Sequence, residues 1–251
     1  MGDRLVSNPA IIISNHTSLA DYFIIHYLAR VSVLGDYSPV IPSSSEKITL
    51  PVVNFFSWFL VWRVPTVKIL LHMLKCDENW EIDQKSVAFV FSRLLKSKNS
   101  QWIVIFPEVN IWTKEGAGLQ RQLSEKYFLP QFNHLLYPRF SSFFNVITAL
   151  ADIKPQPYSN LYDITILYTR RDSNEISYQP PTLLEFFSSK IPITVTINVK
   201  IRSVNRIPEK RHKLERYLEH LWRNKDKLIG QLKEESELQG MYSQSTCING
   251  V

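Results

Sequence analysis

The sequence predicts an α/β fold, a mixed central sheet flanked by helices. Three observations carry that expectation. Runs of strand length rich in β-branched or aromatic residues recur at Ala10-Ile11-Ile12-Ile13, Trp102-Ile103-Val104-Ile105-Phe106, Tyr162 to Thr169 and Ile193 to Ile201. Between them lie segments with helical periodicity, the interleaving that builds α/β layers. No repeat or long linker divides the 251 residues, and 45% hydrophobic content is enough for a substantial core.

Ala10 to Ile13 reads as a buried strand. Ser18 to Val31 reads as a helix, with Ser18 as N-cap and Asp21 reaching back to it. Gly35 to Lys47 is a Ser- and Pro-rich loop. Leu50 to Trp62 contains only two polar residues, and Pro51 and Pro65 bracket it. It falls short of the ~20 apolar residues of a spanning helix. It reads either as a buried core helix or as an interfacial segment presenting Trp58, Trp62, Arg63 and Lys68.

Asp83 to Lys98 is an amphipathic helix with Val87, Val90, Phe91 and Leu94 on one side. The strand Trp102 to Phe106 ends at Pro107-Glu108, and a polar helix covers Lys114 to Lys126. His134 to Tyr137 is expected to be a short strand closed by Pro138-Arg139, and Phe140 to Ala151 a helix. Pro208 to Lys233 is a charged helix with Leu214, Leu218, Leu221 and Leu228 as its buried stripe. From about Gln239 the chain is polar and expected to fray. Residues 1–236 form one domain on this reading, and 237–251 a disordered tail.

Composition removes several function classes. Seven glycines are few, and neither GxGxxG nor GxxxxGK[ST] occurs. The net charge of +6 suits an anionic partner, but the basic residues are dispersed and form no basic-aromatic module, so nucleic acid is not expected. Cys76 and Cys247 lie too far apart in sequence for a disulfide framework, which points to a reducing compartment. The N-terminus has no apolar signal region, and Val6 stands where myristoylation wants Ser or Thr. Six scattered histidines show no metal-ligand spacing, so neither a metal nor a cofactor is expected.

The chemistry concentrates in Asn15-His16-Thr17-Ser18-Leu19-Ala20-Asp21. A histidine at a strand-to-helix turn lies at the carboxyl edge of the sheet, where α/β proteins place ligands. Oriented by Asp21, it can take a proton from a hydroxyl. Equally, Asp21 can cap the helix and leave His16 an ordinary loop residue; the two readings are compatible. Asn15-His16-Thr17 is formally a glycosylation sequon, discounted because a glycan would block this turn. Phe106-Pro107-Glu108 and Pro138-Arg139 close two further strands, so a base, an acid and an arginine gather at comparable edges.

These blocks resemble the glycerolipid acyltransferases of the PlsC type. His16-x4-Asp21 matches their HxxxxD motif, Phe106-Pro107-Glu108 the start of FPEGTR, and Tyr137-Pro138-Arg139 the later proline block. Asn79-Trp80-Glu81-Ile82-Asp83, Leu161-Tyr162-Asp163-Ile164-Thr165 and Trp222-Arg223-Asn224-Lys225-Asp226-Lys227-Leu228 are similar to segments of the lysocardiolipin and lysophosphatidylinositol acyltransferase branch. The resemblance covers about residues 10 to 230.

The resemblance implies a PlsC-like fold and transfer of a fatty acyl group from acyl-CoA, as co-substrate, to a lysophospholipid hydroxyl. His16 and Asp21 are then catalytic, and Pro107, Glu108, Asn110 and Arg139 bind the acceptor. Arg139 or Lys114 supplies the phosphate contact, and amides at the start of the Ser18 helix favour developing negative charge. A membrane surface is the implied partner and the endoplasmic reticulum membrane, cytosol-facing or peripheral, the implied location.

Two departures stand out. Val109 and Asn110 replace the glycine and threonine that follow FPE, and Glu78 stands where relatives carry a phosphate-holding arginine. They motivate two competing readings: a catalytically impaired membrane-associated homologue with a structural or lipid-binding role, or an acyltransferase with a non-phospholipid acceptor.

Overall fold

The computed structural model describes residues 2–34, 50–57, 60–62, 96, 99–151, 153, 157–172 and 175–248. Gly35 to Lys47, Trp58, Arg63, Lys68, Cys76, Glu78, the Asn79 to Asp83 block and nearly all of the Asp83 to Lys98 helix lie outside the described residues.

The described elements run β1 (Ala10–Ser14), α1 (Asp21–Leu34), β2 (Val52–Ser57), β3 (Leu60–Trp62), β4 (Gln101–Ile105), α2 (Lys114–Tyr127) and α3 (Phe140–Ala151). They continue with β5 (Asn160–Asp172), β6 (Glu175–Ser177), α4 (Leu183–Ser188), β7 (Ile193–Ser203), a 3-10 turn and α5 (Arg211–Ile248). Seven strands form one mixed sheet, ordered β3-β2-β4-β1-β5-β6, with β7 also paired to β5. The strands β2, β4, β1 and β5 are parallel, and β3, β6 and β7 join antiparallel.

β1 sits between β4 and β5, and its five residues are all buried. That is why its sequence is a continuous isoleucine run rather than an alternation. Alternation nevertheless decides which face each side chain serves. Ile11, Ile13, Ile103, Ile105 and Leu161 join the cluster packed by Phe143, Val146 and Leu150 of α3 and Leu214, Leu218 and Trp222 of α5. Ala10, Ile12, Trp102, Val104, Tyr162, Ile164, Ile166 and Tyr168 join the opposite cluster, with Tyr22, Ile25 and Leu28 of α1.

The apolar stretch from Leu50 is not a helix. Val52 to Ser57 pairs parallel with β4, and Leu60 to Trp62 turns back along it. Apolarity alone does not separate a strand buried on both faces from a core helix, and β4 supplies the ladder that decides it.

His134 to Tyr137 is likewise not a strand. Its backbone donors go to side chains. The Asn133 and His134 amides donate to Asp226 at 3.1 and 2.7 Å, Leu136 N–H to Glu108 at 3.3 Å, and Tyr137 N–H to Gln120 at 2.5 Å. With those groups satisfied, no neighbouring strand is needed.

α5 continues to Ile248. In its stripe Ile229 is buried where Leu228 was expected, and Leu228 is only half-buried. The helix also buries a charge. Lys225, 2% exposed, pairs with Asp163 of β5 at 2.7 Å and donates to the Ile164 carbonyl and the Thr165 hydroxyl. Arg202 of β7 reaches the same carboxylate at 3.2 Å.

Removing one member of a buried ion pair strands the other. Lys225→Ala therefore loses about 3 kcal/mol, the lower end of the usual range because Arg202 still faces Asp163. Urea unfolding of the two proteins measures the difference.

Candidate active site

β1 and β4 are parallel neighbours in register, Ile13 beside Ile105, so the residues beyond them leave the sheet at the same edge. His16 follows β1, and Phe106 and Glu108 follow β4. The imidazole of His16 stacks on Phe106 at 4.3 Å and meets the Tyr22 ring edge-on at 5.3 Å. The Trp112 amide donates to the His16 carbonyl at 2.9 Å, and the Arg139 amide to the Pro107 carbonyl at 2.7 Å. Three blocks far apart in sequence thus meet at one edge. Arg139 reaches it from the loop before α3 and not from a strand end.

His16 and Asp21 form a buried pair. Nδ1 lies 3.0 Å from Asp21 Oδ2, with the residues 1% and 0% exposed. The same oxygen accepts the Thr17 and Ser18 amides at 2.8 and 3.0 Å, and Oδ1 accepts the Tyr168 hydroxyl at 2.7 Å. A single carboxylate oxygen thus holds both the imidazole and the loop amides, and α1 begins at Asp21 rather than at Ser18 as the sequence suggested. With Nδ1 donating to Asp21, the basic lone pair of the imidazole is on Nε2.

The loop is tied down elsewhere. Asn15 is fully buried, and its side chain exchanges two hydrogen bonds with the Ile166 backbone at 2.9 and 2.8 Å, which leaves no place for a glycan. Ser18 donates its hydroxyl to the Pro181 carbonyl at 2.6 Å and accepts from Ala20 N–H at 3.1 Å.

The Thr17 and Ser18 amides are taken by Asp21, Ala20 N–H by Ser18 Oγ, and Asp21 N–H by the Ser18 carbonyl. These four donors are spent on the loop itself.

Glu108 is buried completely, with Oε2 accepting from Leu136 N–H at 3.3 Å and Oε1 without a hydrogen-bond partner among the described residues. Burial pushes its carboxyl up to about 8; Leu136 N–H, Lys225 and the Trp222 indole pull it down, and Asp21 adds a small upward push. Pro107 is buried and Asn110 exposed, its amide donating to the Glu108 carbonyl at 2.7 Å. Arg139 is half-buried.

Val109 holds φ at 64°, the left-handed region, while its side chain is buried. Its amide closes the turn onto the Phe106 carbonyl at 2.9 Å. The turn demands a conformation natural to glycine, and here a β-branched residue is forced into it.

A groove of about 450 Å³ opens beside the motif loop, lined by Thr17 to Leu19, Ile111 to Glu115 and Gln179 to Leu183. Lys114, in the first turn of α2, gives this groove a cation, with Glu115 next to it. Tyr168, Lys225 and Asp163 were not singled out as site residues from sequence. Asp163 and Lys225 lay within blocks that carried the family resemblance, whereas Tyr168 carried no signal beyond its place in a strand.

Comparison with known proteins adds the following. The family model described as Acyltransferase matches residues 2–167. A 1-acyl-sn-glycerol-3-phosphate acyltransferase 2 from Brassica napus is 23% identical over 228 residues, 90% of this chain and 52% of that protein. The human 1-acyl-sn-glycerol-3-phosphate acyltransferase delta is 24% identical, over 86% of this chain and 51% of its own length. An uncharacterized acyltransferase from Schizosaccharomyces pombe is 22% identical, over 95% and 64%. The chain spans about half the length of the plant and human relatives it matches. No solved structure matches it.

Two outcomes test this geometry. Deleting a buried valine side chain ordinarily costs ~2–3 kcal/mol, and release of left-handed strain returns ~1–2. Val109→Gly is therefore expected to destabilise by about 1 kcal/mol in urea titrations, well short of the full cost of the deleted side chain. Glu108 has a folded value above its ordinary 4.5, so its stabilising contribution is full below 4.5 and is lost as pH rises through about 8. Compared with the wild type, Glu108→Gln gains relative stability steadily across that window and no further above it, read from denaturation midpoints at each pH.

Proposed function

This chain belongs to the Acyltransferase family, and on that premise we propose that it moves a fatty acyl group from acyl-CoA to the hydroxyl of a lysophospholipid or lysophosphatidic acid. The observation that carries the mechanism is the His16–Asp21 pair at 3.0 Å with Nδ1 committed and Nε2 left basic. Two of the relatives above are named for acylation of 1-acyl-sn-glycerol-3-phosphate, which supports a glycerolipid acceptor.

In the proposed step His16 Nε2 takes the acceptor's hydroxyl proton as its oxygen attacks the thioester carbonyl. The C–S bond then breaks, and the departing thiolate takes the proton back from the imidazolium. Asp21 stabilises that imidazolium and holds the ring. No covalent acyl-enzyme intermediate is required. Lys114 in the groove is the phosphate contact in this scheme, and Pro107, Glu108, Asn110 and Arg139, which do not line that groove, shape the acceptor side.

Membrane association at the cytosolic side of the endoplasmic reticulum belongs to the same proposal. Leu184 and Phe187 of α4 are 76% and 65% exposed, and Phe187 meets the exposed Phe23 of α1 at 5.4 Å. These apolar side chains flank the groove at Leu183, where an interfacial lipid would enter. Among the described residues no helix is long and apolar enough to cross a membrane.

The test is transfer from labelled oleoyl-CoA to a panel of lysophospholipids and lysophosphatidic acid in liposomes, with His16→Ala alongside. Transfer is expected to fall by about 10²–10⁴-fold in that variant. Transfer that survives His16→Ala at wild-type rate defeats the mechanism. A folded wild type that acylates no acceptor favours a non-catalytic, lipid-binding role.

A further inference from the structure

We infer that Tyr168 is a positioning residue for acyl transfer, holding Asp21 by one hydrogen bond and, through Asp21, orienting His16. The inference rests on the reading of His16 as the base.

Strand parity delivers the side chain. Tyr162, Ile164, Ile166 and Tyr168 alternate onto the α1 face of the sheet, the face on which Asp21 begins its helix. The register cannot drift, because Asn15 bonds both the N–H and the carbonyl of Ile166, two residues before Tyr168. Tyr168 is 2% exposed, and its ring packs edge-on against Phe186 of α4 at 6.2 Å. α4 is itself tied to the motif loop, since Pro181, just ahead of it, accepts the Ser18 hydroxyl. Burial and the neighbouring Asp21 charge push the Tyr168 hydroxyl far above the ordinary tyrosine range, so it is a permanent donor.

Asp21 has two oxygens with different duties. Oδ2 takes His16 and two backbone amides, and among the described residues the hydrogen bond recorded to Oδ1 is that of Tyr168. Without that donor the carboxylate is held through Oδ2 alone, which loosens its orientation and the hold on Nδ1. It also carries more negative charge toward the imidazole, which then retains a proton to higher pH. The titratable groups that bear on Asp21 are His16, Tyr22, Glu108 and Tyr168. Of these, Tyr168 combines a direct hydrogen bond with a position outside the motif. It lies one residue beyond the span matched by the family model.

Tyr168→Phe keeps the ring and removes the donor. Its kcat is expected to fall on the order of tenfold, a fraction of what a positioned base contributes, with KM for both substrates within about twofold. The acidic limb of kcat/KM moves to higher pH by roughly half a unit. In an Asp21→Asn background the same substitution adds no further loss. A fluorinated tyrosine at 168, a stronger donor with the fold intact, moves the limb the other way.

Imidazole ¹⁵N NMR of the protein without substrates supplies a readout independent of turnover. The His16 tautomer balance and titration shift between wild type and Tyr168→Phe. Absence of acyl transfer in the wild type would defeat the reading of function while this measurement still judged the positioning. A folded Tyr168→Phe with a superimposable pH profile or unmoved His16 resonances overturns the inference. So does an equal loss in the Asp21→Asn background.

Discussion

A carboxylate buried at 0% exposure is the constraint on which this site depends. An isolated charge at Asp21 would be prohibitively unfavourable, and it is tolerated because donors surround it. His16 Nδ1, the Thr17 and Ser18 amides and the Tyr168 hydroxyl all converge on two oxygens. The helix start, the ring orientation of His16 and the register of β5 against the motif loop are thereby set together. The same demand takes up the Thr17 and Ser18 amides of the loop, while Lys114 is a cation that the neighbouring groove presents.

On the opposite face of the sheet a second buried polar system does different work. Lys225, Asp163 and Arg202 join α5, β5 and β7, and Asp226 on the same turn of α5 holds the amides of Asn133 and His134. Glu108 stands between the two systems. It receives a hydrogen bond from the segment that Asp226 pins, while the charge of Asp21 disfavours its ionisation. Burial is the larger effect and makes Glu108 a carboxyl that prefers its proton at neutral pH. Acceptor positioning by Glu108, as proposed, starts from a side chain enclosed in the protein.

Val109 shows how strain is held at the site. The turn from Phe106 to Val109 brings Phe106 onto His16, and its closing hydrogen bond requires a left-handed residue. Valine gains from burial what it loses in backbone strain, so the turn survives without glycine. Outside the turn, the exposed Leu184, Phe187 and Phe23 place an apolar rim beside the groove at Leu183.

The isoleucine run of β1, the strand of Trp102 to Ile105 and the helices that begin at Lys114 and Phe140 were legible because their patterns are local. So was the motif, since five residues across a strand-to-helix turn suffice to bring a histidine to an aspartate. Val52 to Phe56 was not legible as a strand, because a segment buried on both faces has no periodicity to read and pairing with β4 decides it. His134 to Tyr137 was misread because its amides are satisfied by Asp226, Glu108 and Gln120, partners invisible in sequence. Sequence alone determined that His16 and Asp21 would meet, because their spacing across one turn is a local property. Tertiary structure alone decided that Tyr168 completes the aspartate and Lys225 underpins the sheet. Those bonds join residues 147 and 61 positions apart, and long-range register is decided by packing of the whole sheet.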